Sequence, residues 1–454
     1  MYLGPRGFDG AQFPRLSSSP ATLECYVRAH DAGETTYIAW QWHDDPVGRT
    51  VADHVHVLAD TDWEASRRAL ISALVEGDAT DLQAVLSTGA FASVERERAL
   101  AKQLASEVMP VEFWEQLDRA AKGQVHVRLL VTPSQRLAPV PWELLVSPVS
   151  EERVLRLAET IYEVPYTVHW SRGRLPQPWG RPDEPLHTVD VDAEGSLDAS
   201  LPVIDPTGRE ILAEALGTDP EARPRMSRAD LGAALRALPT RWLYVGHVSS
   251  GSEVGLAAIH LTDHIFGDDG ELPWFGFAKP NGNHRPLTAR DLHLGTNAPQ
   301  AHASAHTHRL PAAVGTDGAD IWPMPGRVAF VACASGADHA SPEIFGLATA
   351  ALASGAEWVT ATRWALPTDH AFHTLAAVDP GEHPLVELVL AVDETQRATD
   401  PAAELRAWQL GKLDDWERDS RLEDSPLLWG SLMTYWMPAR PELRNPQLKP
   451  ISDL

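Results

Sequence analysis

The chain has 454 residues, 44% hydrophobic and 22% charged, with a formal net charge of −25. That length supports a large core and two or three structural units, and so negative a balance argues against holding nucleic acid by phosphate neutralisation. Two cysteines exclude a disulfide framework and paired-cysteine zinc sites, no run of about 18 apolar residues is present to cross a membrane, and residues 1–9 lack the apolar core of a signal peptide, so a cytoplasmic protein is expected.

Residues 1–20 are rich in Gly, Pro and Ser and are expected to be flexible. Residues 22–29 and 35–42 are strand-like runs joined by Asp31-Ala32-Gly33-Glu34, which predicts a hairpin. Residues 63–74 and 94–117 carry apolar side chains at helical spacing. Residues 21–121 therefore form an N-terminal unit of a β-hairpin and helices. A larger unit is expected over 122–437. It opens with a strand at 125–131, continues with an apolar run at 161–168, and has a further strand near 186–191. A helix starts at 211, and Ser227 with Asp230 forms a capping box that opens another. That helix leads into an apolar strand, 241–247. Residues 264–325 have no clear periodicity and read as an insertion near the mouth of a site. Then come a strand at 328–332, a small-residue helix ended by Gly355, a strand at 358–362 and helical spacing over 387–410. The tail, 438–454, is Pro-containing and expected to be extended. Strands alternating with helices predict an α/β fold with a mostly parallel sheet covered on both faces.

Two residues stand at the ends of these strands. Cys333 ends the 328–332 run and is followed by Ala334-Ser335-Gly336. His247 ends the 241–247 run and is followed by Val248-Ser249-Ser250-Gly251. The carboxyl ends of adjacent parallel strands are where open α/β sheets place ligands. A thiol beside an imidazole is the minimum for nucleophilic thiol catalysis, because the imidazole takes the thiol proton. The ordinary alternatives are a cysteine packed as a small hydrophobe and a structural histidine. Cys25 lies inside a strand-like run and reads as that kind of core residue.

Six blocks, in order, resemble the CHAT domain (caspase HetF associated with TPRs), a caspase-like family of clan CD cysteine peptidases. Residues 129–134 with Val140-Pro141-Trp142-Glu143-Leu144-Leu145 resemble its first strand and Pro-Trp-Glu signature. Residues 231–247 resemble its helix and Gly-His strand, and Leu287-Thr288-Ala289-Arg290-Asp291-Leu292 its Leu-Thr-x-x-Asp-Leu element. Ala332-Cys333-Ala334-Ser335-Gly336 resembles the nucleophile motif. Residues 346–369 resemble the helix, strand and Trp loop beyond it, and Ser425-Pro426-Leu427-Leu428-Trp429-Gly430 the closing block. The match spans about 125–437.

The resemblance implies a three-layer, caspase-like α/β/α sandwich. It implies a cysteine endopeptidase that hydrolyses peptide bonds in a protein substrate, with Cys333 as nucleophile and His247 as general acid–base. The backbone N–H groups of Val248 and Cys333 would form the oxyanion hole. The family usually has Gly after the histidine, where this chain has Val248. No cofactor or metal is called for. A regulatory protein partner is expected to switch the activity on, within a bacterial defence or signalling system. The about 34-residue period of TPR arrays is not found in the N-terminal unit. The alternative is a catalytically inactive caspase-like scaffold that binds protein partners.

Asp369 and Trp364 are candidate substrate-binding residues, an acidic P1 pocket favouring Lys or Arg. Asp263 is a second acidic candidate, and a loop-capping Asp369 is the ordinary alternative. Trp274, Trp322 and Trp364 could line a peptide groove or pack the insertion. His302, His306 and His308 have a spacing that could meet a metal on a helix, although Gly and Pro nearby favour a loop. No P-loop motif and no Gly-x-Ser-x-Gly elbow occurs.

Overall fold

The computed structural model describes residues 22–43, 54–74, 79–123, 125–165, 168, 172–180, 182–193, 202–221, 223–249, 257–262, 286–294, 318–333 and 344–439. Residues 79–81, 333, 344 and 345 are described by their backbone alone. The expectations for residues 1–20, Asp263, Trp274, His302, His306, His308 and nearly all of the tail lie outside the described residues.

The predicted hairpin is present. β1 (Thr22–Ala32) and β2 (Thr35–His43) pair antiparallel with Ala32 opposite Thr35. Gly33, at φ 63°, supplies the left-handed residue that a two-residue turn needs. A third strand, β3 (His54–Ala59), adds to β2 and forms the sheet edge. Helices α1 (Asp60–Ser72), α2 (Ala79–Thr88), α3 (Val94–Val108) and α4 (Val111–Lys122) follow. The apolar spacing over 94–117 thus belongs to two helices. Met109 is extended before Pro110, as the steric demand of the proline ring requires, and Pro110 caps the second helix.

β4 (His126–Thr132) pairs parallel with β1, so the N-terminal strands and the main unit share one sheet. The chain continues through α5 (Val154–Leu157), β5 (Glu159–Tyr162), β6 (Pro185–Val189), α6 (Pro206–Leu216), α7 (Arg228–Arg236) and β7 (Arg241–Ser249). Short strands β8 (Ala258–Ile259) and β9 (Leu287–Thr288) lead to α8 (Ala289–Leu294) and α9 (Gly318–Ile321). Next are β10 (Arg327–Cys333), α10 (Ile344–Ala353), β11 (Trp358–Thr362), α11 (Asp369–Leu375), α12 (Pro384–Thr395), α13 (Pro401–Asp419), α14 (Pro426–Trp429) and β12 (Leu432–Trp436). The helical spacing over 387–410 is split, with Asp400 capping α13 through the Ala402 and Ala403 N–H groups and Pro401 at its first turn.

Among the described residues twelve strands run in the order β3-β2-β1-β4-β5-β12-β11-β10-β7-β8-β9, with β6 also on β7. Among the described strands six pairings are parallel and five antiparallel. β11 and β12 meet antiparallel, so β6, β7, β10 and β11 run one way and β12, β5, β4 and β1 the other. β11 and β12 are buried at every position, and β7 through His247. Successive side chains alternate faces, so both faces of this region are covered. The architecture is a mixed α/β fold around a large, mostly parallel sheet.

Buried ion pairs account for several of the motifs. Arg363 directly follows β11. Its guanidinium donates to the Glu143 carboxylate at 2.6 Å and to the Val140 and Leu432 carbonyls at 2.6 and 3.3 Å. The Pro-Trp-Glu block is thereby docked on the end of β11. Asp291 closes a cap with Thr288 and accepts from Arg228, the first residue of α7, at 2.9 Å. Ser425 caps α14 and donates to the Phe91 carbonyl at 2.6 Å, tying the closing block to the N-terminal helices. Arg241, at the start of β7, pairs with Asp393 of α12, which also meets His187 at 3.1 Å. Burial would raise the Asp393 carboxyl, but the His187 hydrogen bond and the Arg241 charge hold it below the usual range.

The described parts of the 264–325 stretch, 286–294 and 318–325, contribute to the core. Leu287, Leu292, Trp322 and Met324 are buried. Trp322 therefore packs rather than lining a groove. Cys25, on β1, is fully buried, and desolvation pushes its thiol well above the ordinary range.

Candidate active site

β7 and β10 are adjacent and parallel, in a register that pairs Val245 with Val331, Gly246 with Ala332 and His247 with Cys333. Neighbouring strands lie about 4.8 Å apart. The two residues singled out in the sequence are thus level with each other at the carboxyl ends of neighbouring strands, although 86 residues separate them in sequence.

His247 is 6% exposed. Its backbone is held by Tyr244, whose hydroxyl donates to the His247 carbonyl at 2.8 Å and accepts from the His260 N–H at 3.1 Å. The Tyr244 side chain reaches there by lying along the strand across Gly246. A Cβ at 246 would sit 2.8 Å from the Tyr244 hydroxyl, which explains the glycine before the histidine. β8 adds a second restraint, since the His260 N–H also donates to the His247 carbonyl at 3.3 Å. That bond makes Val248 and Ile259 a non-hydrogen-bonded pair of the β7–β8 ladder. The Val248 N–H is accordingly directed away from β8, towards the β10 side where Cys333 stands.

The end of β10 is clamped in turn. The Ala332 N–H donates to the Thr362 hydroxyl at 3.0 Å, and the Ala332 carbonyl accepts from the Leu366 N–H at 3.0 Å. The loop after β11 thus folds back over the strand one residue before Cys333.

That loop carries both candidate substrate residues. Trp364 is 6% exposed, donates its indole N–H to the Leu427 carbonyl at 2.8 Å and packs on Phe91 with ring centres 5.7 Å apart. It is engaged in packing. Asp369 is 1% exposed, and its Oδ1 accepts from the Leu385 N–H at 2.7 Å in the first turn of α12. Its Oδ2 is 3.8 Å from His383 Nδ1, which is 4.0 Å from Asp205. Asp369 therefore has the capping role, at the junction of α6, α11 and α12.

Burial raises the Asp369 carboxyl to about 6, against the partial relief of the Leu385 hydrogen bond and the His383 charge. A folded pKa above the unfolded one means that the folded state holds the extra proton. This contribution to stability is fully present below pH ~4 and is lost as the pH rises through about 6. Asp369→Asn keeps an acceptor for Leu385. It should flatten the pH dependence of stability between pH 4 and 6 and gain about 1–3 kcal/mol at pH 7. Denaturant melts at both pH values check this; a variant with unchanged pH dependence would remove Asp369 as the source.

His260 and Asp190 were not singled out in the sequence. His260 is 7% exposed, with Nε2 3.1 Å from the Ser249 hydroxyl. Its signal was the short apolar run before it, 257–259, which pairs with β7 only through the fold. Among the described residues no three His, Cys, Asp or Glu side chains group as a metal site, and no helix is long and apolar enough to cross a membrane. No protein-family model and no curated protein matches the chain.

Proposed function

We propose that the protein is a cysteine endopeptidase of the CHAT, caspase-like type. The observation that carries this reading is the register that pairs His247 with Cys333 at the carboxyl ends of β7 and β10. A thiol and an imidazole so placed share one carboxyl edge of the sheet, where open α/β folds bind their substrates.

In this reading the Cys333 thiol gives its proton to His247, and the thiolate attacks the carbonyl carbon of the scissile peptide. The carbonyl π electrons move to oxygen, and the Val248 and Cys333 N–H groups donate hydrogen bonds to the developing oxyanion. His247 returns the proton to the leaving amine as the C–N bond breaks, leaving a thioester. Water, deprotonated by His247, attacks the thioester. A carboxylate product leaves and the thiol is restored. The substrate is a protein or peptide. A partner protein that switches the enzyme on, in a bacterial defence or signalling system, completes the proposal.

Incubating the full chain with a proteome-derived peptide library, alone and with the products of adjacent genes, tests the reading. Cleavage that disappears in Cys333→Ala is the expected result. Cleavage that persists undiminished in that variant would overturn the assignment of the nucleophile.

A further inference from the structure

We propose that Asp190 is a positioning residue that orients the His247 imidazole and stabilises its protonated form, extending the pair to a Cys–His–Asp arrangement across β10, β7 and β6. The inference rests on the reading of His247 as the catalytic base.

Asp190 directly follows β6, the strand on the other side of β7 from β10. β6 ends with Val189 paired to Val245, and the Asp190 N–H donates to the Val245 carbonyl at 2.7 Å, two residues before His247. Asp190 then leaves the strand with φ of 49°, a left-handed conformation that Asp tolerates better than most residues. Backbone strain of this kind gathers at functional positions.

The carboxylate is 2% exposed. Oδ1 is anchored, accepting from the Val203 N–H at 3.0 Å and pairing with Arg223 at 3.1 Å. Arg223 also donates to the Asp190 and Val191 carbonyls, at 3.2 and 2.9 Å, which fixes the turn. Oδ2 is buried and has no hydrogen-bond partner among the described residues. A buried carboxylate oxygen left so is costly unless a charge compensates it. Burial pushes the Asp190 carboxyl up, and the Val203 N–H, the Arg223 guanidinium and the His247 imidazole pull it back. Asp190 beyond β6 is thus electrostatically coupled to the His247 imidazole, and the His260 N–H meets the His247 carbonyl. Arg223 and Asp192, 3.6 Å apart, stand behind Asp190.

A residue that only holds the Val203 turn would not tune His247. Histidine ring titration by NMR in the full chain separates the roles, with the His247 signal assigned by its loss in His247→Gln. Asp190→Asn retains an acceptor for Val203. It is expected to lower the His247 pKa by about one unit while leaving His260 in place. A folded Asp190→Asn protein with an unmoved His247 titration would overturn the proposal. The reciprocal variant keeps the question open to refutation if Asp190→Asn does not fold. In His247→Gln the Asp190 carboxyl should titrate at higher pH than in the wild type, and an unchanged titration there also overturns it. Neither readout needs peptide cleavage, so an inactive protein with coupled Asp190 and His247 would count against the peptidase reading alone.

Discussion

Glu143→Gln is expected to destabilise the protein by about 3–5 kcal/mol. Arg363 is buried, and burial by itself would lower its pKa; the opposing charge of Glu143, with the contribution of Tyr162, more than offsets that. Gln keeps the shape and one acceptor but removes the charge. The guanidinium then stays among Val140, Ser431 and Leu432 carbonyls with no counter-charge at 2.6 Å. A buried pair replaced as a unit behaves differently from a buried pair halved. Glu143→Leu with Arg363→Met should therefore lose less than Glu143→Gln alone. Urea unfolding of the three proteins checks this; equal losses in the single and double variants would mean that the pair itself is not the source.

This pair also marks how far the sequence could be read. The Pro-Trp-Glu block was recognisable, but nothing in it says that Glu143 meets a residue 220 positions on. Local signals fared better. Gly33 located the hairpin, Ser227 and Asp230 located the start of α7, and Gly355, at φ 121°, located the end of α10. Each of those is settled by the backbone within a few residues. Breaks inside long helical patterns were masked by continuous apolar spacing, although Pro110 and Asp400-Pro401 were visible as the capping chemistry that makes them.

β3 shows a different reason for a miss. Its residues alternate His54-Val55-His56-Val57, but Val55 and Val57 are 59% and 53% exposed. His54 turns inward instead, stacked on Trp40 at 4.9 Å, with Gln116 at 3.2 Å. A pattern with its polar residues facing the protein does not announce a buried face.

Of the candidate site, the two strand-end residues could be picked out because each interrupts an apolar run. Their register could not, since it depends on which strands become neighbours. Trp364 and Asp369 stand out in the sequence only by their position after a strand. The fold uses the first for packing and the second to cap α12, because the loop carrying them turns back over β10 through Leu366.

The second large effect concerns Cys333. In the proposed peptidase, a Cys333 thiol paired with the His247 imidazole would form the thiolate well below the free-thiol value of about 8.5. Buried Cys25, pushed the other way, should stay inert. Alkylation at pH 6 should thus label Cys333 alone, on the order of 100-fold faster than a free thiol of ordinary pKa. Replacing His247 removes the proton acceptor and should return the rate to the ordinary value. The most direct test is the pH profile of Cys333 alkylation in the wild type and in His247→Gln, followed by peptide mass spectrometry. An inflection below pH 7 that moves to about 8.5 or higher in His247→Gln is the expected result. A Cys333 that titrates at 8.5 or above in both proteins would contradict the thiol–imidazole pair.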